Sequence, residues 1–232
     1  MLETKKDHIV RKHNHLVNSV REKAYSPIEL KLIAKVISLV HKDDTNLETK
    51  KIYLRDLEFI SSDTKNHKYY KKVFETLSDT SIYLPCGGKV KWFSYINFHN
   101  GYIEYSFDNR LINYIVQLNA NNRQYYLSNV LSLNSRYSIH IYELLNQLRD
   151  KRGREIFIDD FREILNIPES YNITNIQNKV LELAKVELSE KTDLSFEYNL
   201  IKECRKITKI KFAIKGSLHS RSQINKNTRK II

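Results

Sequence analysis

Wound as an α-helix, the stretch from Thr174 to Lys191 carries Asn175, Asn178, Lys179, Glu182 and Lys185 on one face and Ile176, Val180, Leu183 and Ala184 on the opposite one. A carboxamide both donates and accepts, so one Asn or Gln can hold an adenine edge through two hydrogen bonds, and a carboxylate can accept from a cytosine amine. Asn172, Thr174 and Gln177, around the start of the same helix, extend that polar face. Further on, Lys202, Arg205 and Lys206 crowd a short polar stretch between two alternating segments, while Lys65, Lys68 and Lys72 share one side of an earlier helix. Cations grouped in this way suit phosphate oxygens, where they set register and a salt-dependent affinity without reading sequence. These residues are the candidate DNA contacts.

Catalytic chemistry is poorly supplied. His13-Asn14-His15 is the sharpest cluster, but an HNH nuclease needs further ligands in a hairpin–helix unit, and none follow. A rolling-circle nicking protein wants His-apolar-His on a strand with a tyrosine nucleophile downstream; here the middle residue is polar and no acidic partner is evident. The five glycines are scattered and form no phosphate loop. Cys86 and Cys204 lie far apart without a CxxC or a neighbouring His, which argues against a zinc module and a disulfide scaffold. The chain reads as a non-enzymatic binder needing no metal and no cofactor. The alternative of another class is a metal-dependent nicking initiator using His13 and His15.

The elements that must position these groups occur twice. Lys51-Ile52-Tyr53-Leu54-Arg55-Asp56-Leu57 recurs about a hundred residues later as Glu155-Ile156-Phe157-Ile158-Asp159-Asp160-Phe161. Before the first copy, Ser26-Pro27-Ile28-Glu29 is a capping box with proline at the first helical position, opening a helix whose apolar face is Ile28, Leu32, Ile33, Val36, Ile37 and Val40. After it, Asp56 can cap a short turn through Ile60, and 65–79 is a helix with Tyr70, Val73, Phe74 and Leu77 as its buried stripe. A strand at Ile82–Leu84, a hairpin of 91–98 and 102–107 around Asn100-Gly101, and a helix over about 108–118 complete this half. The polar run 119–124 reads as the linker.

The second half predicts a helix from Ser135 to about Lys151 through Ile139, Tyr142, Leu145 and Leu148, then strand 155–158. A short helix capped by Asp159, with Phe161, Ile164 and Leu165 inward, ends at Pro168. Thr174-Asn175-Ile176-Gln177 is a further capping box starting the helix to Lys191. Leu194–Leu200 and Lys206–Lys215 alternate as strands around a wing, Ile201–Arg205, and the sequence from Gly216 onward reads as a disordered basic tail. Helix, strand, two helices and a hairpin is the order of a winged helix, a DNA-binding relative of helix-turn-helix. The expectation is an α+β, mainly α chain of two tandem winged-helix domains related by duplication. The first covers 1–120 and the second, the main reader, 121–215, with the tail at 216–232.

Charge agrees with this. The 232 residues carry a net charge of +12, and 199–232 holds ten Lys/Arg against the single acid Glu203. Anionic partners follow, nucleic acid before membrane surface. The residues from Met1 to His8 lack a signal-peptide core and no apolar run reaches spanning length, so a soluble cytoplasmic protein is expected.

Asn134-Ser135-Arg136-Tyr137-Ser138-Ile139-His140-Ile141-Tyr142-Glu143-Leu144-Leu145 resembles the helix opening the second domain of iteron-binding plasmid replication initiators. Val180-Leu181-Glu182-Leu183-Ala184 and the run from Glu190 to Tyr198 resemble their recognition helix and wing strand, and Asn14–Val17 with Tyr25–Glu29 their opening segment. The resemblance covers about residues 10–215. It implies two winged helices binding double-stranded DNA: origin repeats as monomers, an inverted-repeat operator as homodimers formed through the first domain. It also implies opening of AT-rich DNA and recruitment of a host initiator and a replicative helicase. Two departures stand out. Ile176-Gln177-Asn178-Lys179 replaces an aromatic followed by basic residues, and Glu203-Cys204-Arg205 replaces a Gly-Arg wing, so only Arg205 carries over there. A plain winged-helix repressor remains the alternative within the same fold.

Overall fold

The computed structural model describes residues 8–41, 44, 48–57, 60, 67–84, 87–116, 122–149 and 153–216. Lys65, Cys86 and the 217–232 tail lie outside the described residues. The chain forms two compact units, Met1–Leu131 and Ser132–Ile232, so the division falls after the expected one.

The first unit runs β1 (Ile9–His13), α1 (Asn14–Val17), β2 (Val20–Arg21), α2 (Pro27–Ser38), β3 (Lys50–Tyr53), a 3₁₀ turn (Leu54–Leu57), α3 (His67–Asp79), β4 (Ser81–Tyr83), β5 (Lys89–Lys91), β6 (Phe93–Phe98), β7 (Tyr102–Phe107), a 3₁₀ turn (Asn109–Leu111), α4 (Ile112–Ile115) and β8 (Asn122–Tyr126). The capping box at Ser26 forms as expected: Ser26 N–H donates to Glu29 Oε2 at 2.6 Å and Glu29 N–H to Ser26 Oγ at 3.3 Å. Helix α2 does more than present one apolar face. Leu30 to Ile37 are all buried, Lys31 and Lys35 included, so it is the central rod of the unit. Tyr70, on α3, donates to the Leu57 carbonyl at 2.7 Å and so fixes α3 to the preceding turn.

Three expectations are corrected here. The segment 122–126 is not linker: it pairs antiparallel with β1, burying Val10 and Tyr125, which pulls the boundary past residue 120. A polar strand whose partner lies more than a hundred residues away leaves no local signal. The predicted strand 91–98 is two strands broken at Trp92, whose indole N–H donates to the Tyr25 hydroxyl at 2.9 Å in the core. Of the helix expected over 108–118, residues 117–118 lie outside the described residues and the rest forms a 3₁₀ turn and α4.

The second unit includes α6 (Arg136–Asn146), β9 (Gly153–Phe157), α7 (Ile158–Ile164), α8 (Ile173–Ile176), a π-type stretch (Gln177–Glu182), α9 (Leu183–Lys191), β10 (Leu194–Glu203) and β11 (Lys206–Gly216), after α5 (Leu127–Ser132) at the junction. Asp159 sits inside the first turn of α7 and makes no cap; Phe157 holds the cap position without a side-chain bond. Asp56 likewise lies within its 3₁₀ turn. The first strand of the hairpin is longer than predicted: β10 continues to Glu203, while β11 starts at Lys206 as expected, leaving only Cys204 and Arg205 as the turn. Gly153 is required, because a Cβ there would stand 2.7 Å from the Phe212 carbonyl oxygen.

The duplication is real in three dimensions. In each unit the strand after the central helix pairs with the far strand of the hairpin, in the orders β3-β7-β6 and β9-β11-β10. Ile52 lies opposite Ile103 and Ile156 opposite Ile210, all buried. Leu57 and Phe161 are both 0 % exposed, whereas Tyr53 and Phe157 are 44 % and 55 % exposed. The repeated heptapeptide therefore buries its second and seventh residues and exposes its third in both places.

Candidate nucleic-acid interface

The helix that carries the predicted reading face starts earlier than Thr174. Asn172 is its N-cap: backbone φ −74° and ψ 176° put it outside the helix, and its Oδ1 accepts from Asn175 N–H at 2.9 Å. Asn is among the best residues for that position. The Asn172 amide oxygen is thus committed to the backbone, and Asn175 is half-buried on the first turn. Ahead of the cap, the Arg162 guanidinium donates to the Tyr171 carbonyl at 2.6 Å and fastens the turn after α7. Asn166 takes φ 47° just before Pro168, so the stop of α7 falls where proline indicated.

Within this helix, Gln177–Glu182 is π-wound while the backbone stays helical on both sides. π stretches are rare and occur frequently at functional sites. Adding residues to a turn rotates everything beyond it. Leu181 becomes fully buried with Ile176, Val180 and Ala184, and Leu183, expected inward, is 43 % exposed. Thr174, Asn178, Lys179, Glu182, Leu183 and Val186 make up the exposed side.

Not all the polar candidates are free. Glu182 accepts from the Tyr198 hydroxyl at 2.6 Å, and Lys185 is ion-paired and hydrogen-bonded with Glu197; both partners stand on β10. Burial and then the Glu182 carboxylate push the Tyr198 phenol up to about 12, keeping it a donor at neutral pH. Glu182 and Lys185 accordingly lock the helix to its hairpin. Lys179 lies over the Tyr171 ring, its Nζ 5.1 Å from the centroid. Asn178 and Thr174 remain exposed at the middle and start of the face.

The helix is seated from behind by Glu187, a residue the sequence reading passed over. Its carboxylate accepts from Asn134 N–H at 2.6 Å, Ser135 N–H at 3.2 Å and Lys191 Nζ at 2.9 Å. Burial alone raises this carboxyl; the Ser138 side chain, Lys191 and the two backbone amides outweigh it and hold it below the usual range. A long-range bond of this kind has no local pattern to betray it.

At the hairpin tip, Lys202, Arg205 and Lys206 are all exposed and make no ion pair among the described residues, whereas Lys209, Lys211 and Lys215 face Glu203, Glu155 and Glu197. Cys204 turns the chain at φ 56° and thrusts Arg205 out. In the first unit, Lys68 and Lys72 are exposed on α3, with Lys71 beside them 3.9 Å from Glu75. The corresponding hairpin tip is uncharged at Asn100 and Gly101, and His99 is tied to Glu104 at 3.0 Å.

His13 and His15 come together, with ring centroids 4.7 Å apart and Tyr114 within 5.7 Å of His13. They do not share a strand: His13 ends β1 and His15 lies in α1. His13 Nδ1 accepts from His15 N–H at 3.1 Å as the cap of α1, and burial followed by the neighbouring imidazole lowers its pKa. Among the described residues no three His, Cys, Asp or Glu side chains converge on a metal position, and no helix is long and apolar enough to cross a membrane.

Comparison with known proteins places both units. A model of the first winged-helix domain of initiator replication proteins matches residues 9–146, and that of the second matches 158–214. No curated protein matches. Among solved structures, the Pi initiator protein in complex with iteron DNA aligns with a TM-score of 0.73 at 20 % identity, covering 93 % of this chain and 100 % of that one. Domains 2 and 3 of RctB align at 0.52 with 9 % identity, covering 94 % of each chain. The architecture is two winged helices.

Proposed function

The chain belongs to the initiator replication protein family, and from that membership we propose that it starts plasmid replication by binding directly repeated origin sequences, iterons, as duplex DNA. The observation that carries the reading is the pairing, within the second unit, of an exposed amide-bearing helix with a hairpin tip whose cations have no ion pair among the described residues. The helix enters the major groove, where Asn178 and Thr174 meet base edges and Asn172, Asn175, Gln177 and Lys179 line its first turns. Lys202, Arg205 and Lys206 take phosphate or minor-groove positions, and Lys68 and Lys72 of α3, with Lys65 ahead of it, grip the backbone from the first unit. Glu182 and Lys185 serve by holding helix and hairpin in one register.

Two modules on one chain make the second docking intramolecular, which raises affinity without new contacts. Binding free energy from several repeats is then available to bend and open adjacent AT-rich DNA. Autorepression by a homodimer at an inverted repeat, and recruitment of a host initiator and replicative helicase in the cytoplasm, complete the proposal. The solved Pi initiator complex, whose DNA is an iteron, supports the choice of ligand.

Sequencing duplex fragments captured by the purified full chain tests this. Tandem direct repeats are the expected yield. A lone palindrome makes the chain a repressor, and nicking of supercoiled plasmid with Mg²⁺ or Mn²⁺ makes it a nuclease; either result overturns the proposal.

A further inference from the structure

Leu183 and Val186 are 43 % and 54 % exposed on the outer side of the reading helix, beside Asn178, Lys179 and Glu182. An undisturbed α-helix would have turned Leu183 into the core. The π stretch instead gives that place to Leu181, which is 0 % exposed. Two branched apolar side chains therefore project from a surface whose other groups are the Thr174 hydroxyl, the Asn178 amide, the Lys179 ammonium and the Glu182 carboxylate.

What covers them follows from their surroundings. Lys179 precedes Leu183 by one turn, and the hairpin of the same unit ends in Lys202, Arg205 and Lys206, which have no acidic partner among the described residues, so the occupant is a polyanion. Of the charged groups beside the pair, Glu182 accepts from the Tyr198 hydroxyl and Lys185 is ion-paired with Glu197, so both are held against β10 and leave an apolar spot inside a polar reading surface. In the major groove, the one apolar group a base pair presents is the C5-methyl of thymine.

We propose that Leu183, with Val186, reads thymine methyl groups, making the second unit selective for T-bearing steps beside the bases read by Asn178. This rests on the DNA-binding role of the second unit. The π stretch is then the device that converts a core leucine into a specificity residue.

The test uses the duplex most enriched from a random library by the full chain, with each thymine replaced singly by deoxyuridine, which keeps every hydrogen bond and loses only the methyl. One or two positions are expected to weaken binding by about fourfold each, the worth of one buried methyl group. Leu183→Ala should bind the thymine and uracil duplexes alike at its position, at the level of the wild-type chain on uracil, and Val186→Ala should do the same at a second position or none. Equal binding of thymine and uracil duplexes by the wild-type chain overturns the inference, as does discrimination that survives in both variants. If no duplex is enriched at all, it is the DNA-reading role of the unit that fails. Both side chains are exposed, so unchanged melting of the variants is expected and separates readout from folding.

Discussion

The two winged helices share a topology and a burial pattern yet present different surfaces. In the first, α3 offers lysines at Lys68, Lys71 and Lys72, and the hairpin tip is neutral, with His99 stacked on Tyr102 at 4.5 Å. In the second, the equivalent helix offers amides and two apolar side chains, and the cations have moved to the hairpin tip. Lysines on a helix are point charges that suit phosphates; amides have the paired donor and acceptor that bases require. Duplication preserved the scaffold, and the division of labour lies in which element carries charge. The first unit also has a small sheet, β2-β4-β5, that joins a strand ahead of α2 to two strands between α3 and the hairpin, and that has no counterpart among the described residues of the second.

The strongest way to break this comparison is to remove one core at a time. Leu57→Ala and Phe161→Ala each create a cavity at the same repeat position and should each cost about 3–5 kcal/mol in urea unfolding. Loss of the second unit should abolish selective binding, whereas loss of the first should leave weak, still selective binding; the opposite ranking would reverse the assignment of the main reader. Next in size, Glu187→Ala strands the Asn134 and Ser135 amides and should destabilise the second unit by roughly 2–3 kcal/mol. Because the folded pKa of Glu187 is lowered, its stabilisation is present above the ordinary carboxyl range and is lost as pH falls through the folded value. The Glu187→Ala variant should therefore show a flatter acid limb in melting temperature against pH than the parent chain.

A smaller effect sharpens the division of labour. Asn178→Ala should cost about 1–3 kcal/mol on the enriched duplex and almost nothing on random DNA, while Lys72→Ala should weaken both equally. Equal losses in both variants would erase the distinction between the helices. Smallest of all, Arg205→Ala should lower the slope of log K against log salt by about 0.9, one phosphate's worth. An unchanged slope would remove the hairpin tip from the DNA.

Much of this architecture can be read from the chain. The Ser26 capping box, the repeated heptapeptide, the Asn100-Gly101 turn and the alternating 194–215 hairpin are local patterns, and short-range steric and hydrogen-bond preferences suffice to produce them. The exposed Lys202, Arg205 and Lys206 were equally legible, since charge at and beside the tip of a hairpin has nowhere to be buried. The site itself was only half visible. Asn172 reads as a base contact until its oxygen is seen capping the helix, and Glu182 and Lys185 read as free until β10 supplies Tyr198 and Glu197.

What the sequence determined alone is the order of elements, their duplication and the sign of the charge, because each is encoded within a turn or two of chain. Tertiary structure decided that 122–126 joins the first unit as a strand, that Glu187 ties α9 to the start of α6, and that Leu183 faces outward. All three depend on partners brought from far along the chain, or on a change of helical winding. Such outcomes are settled by packing against neighbours that no local periodicity can name.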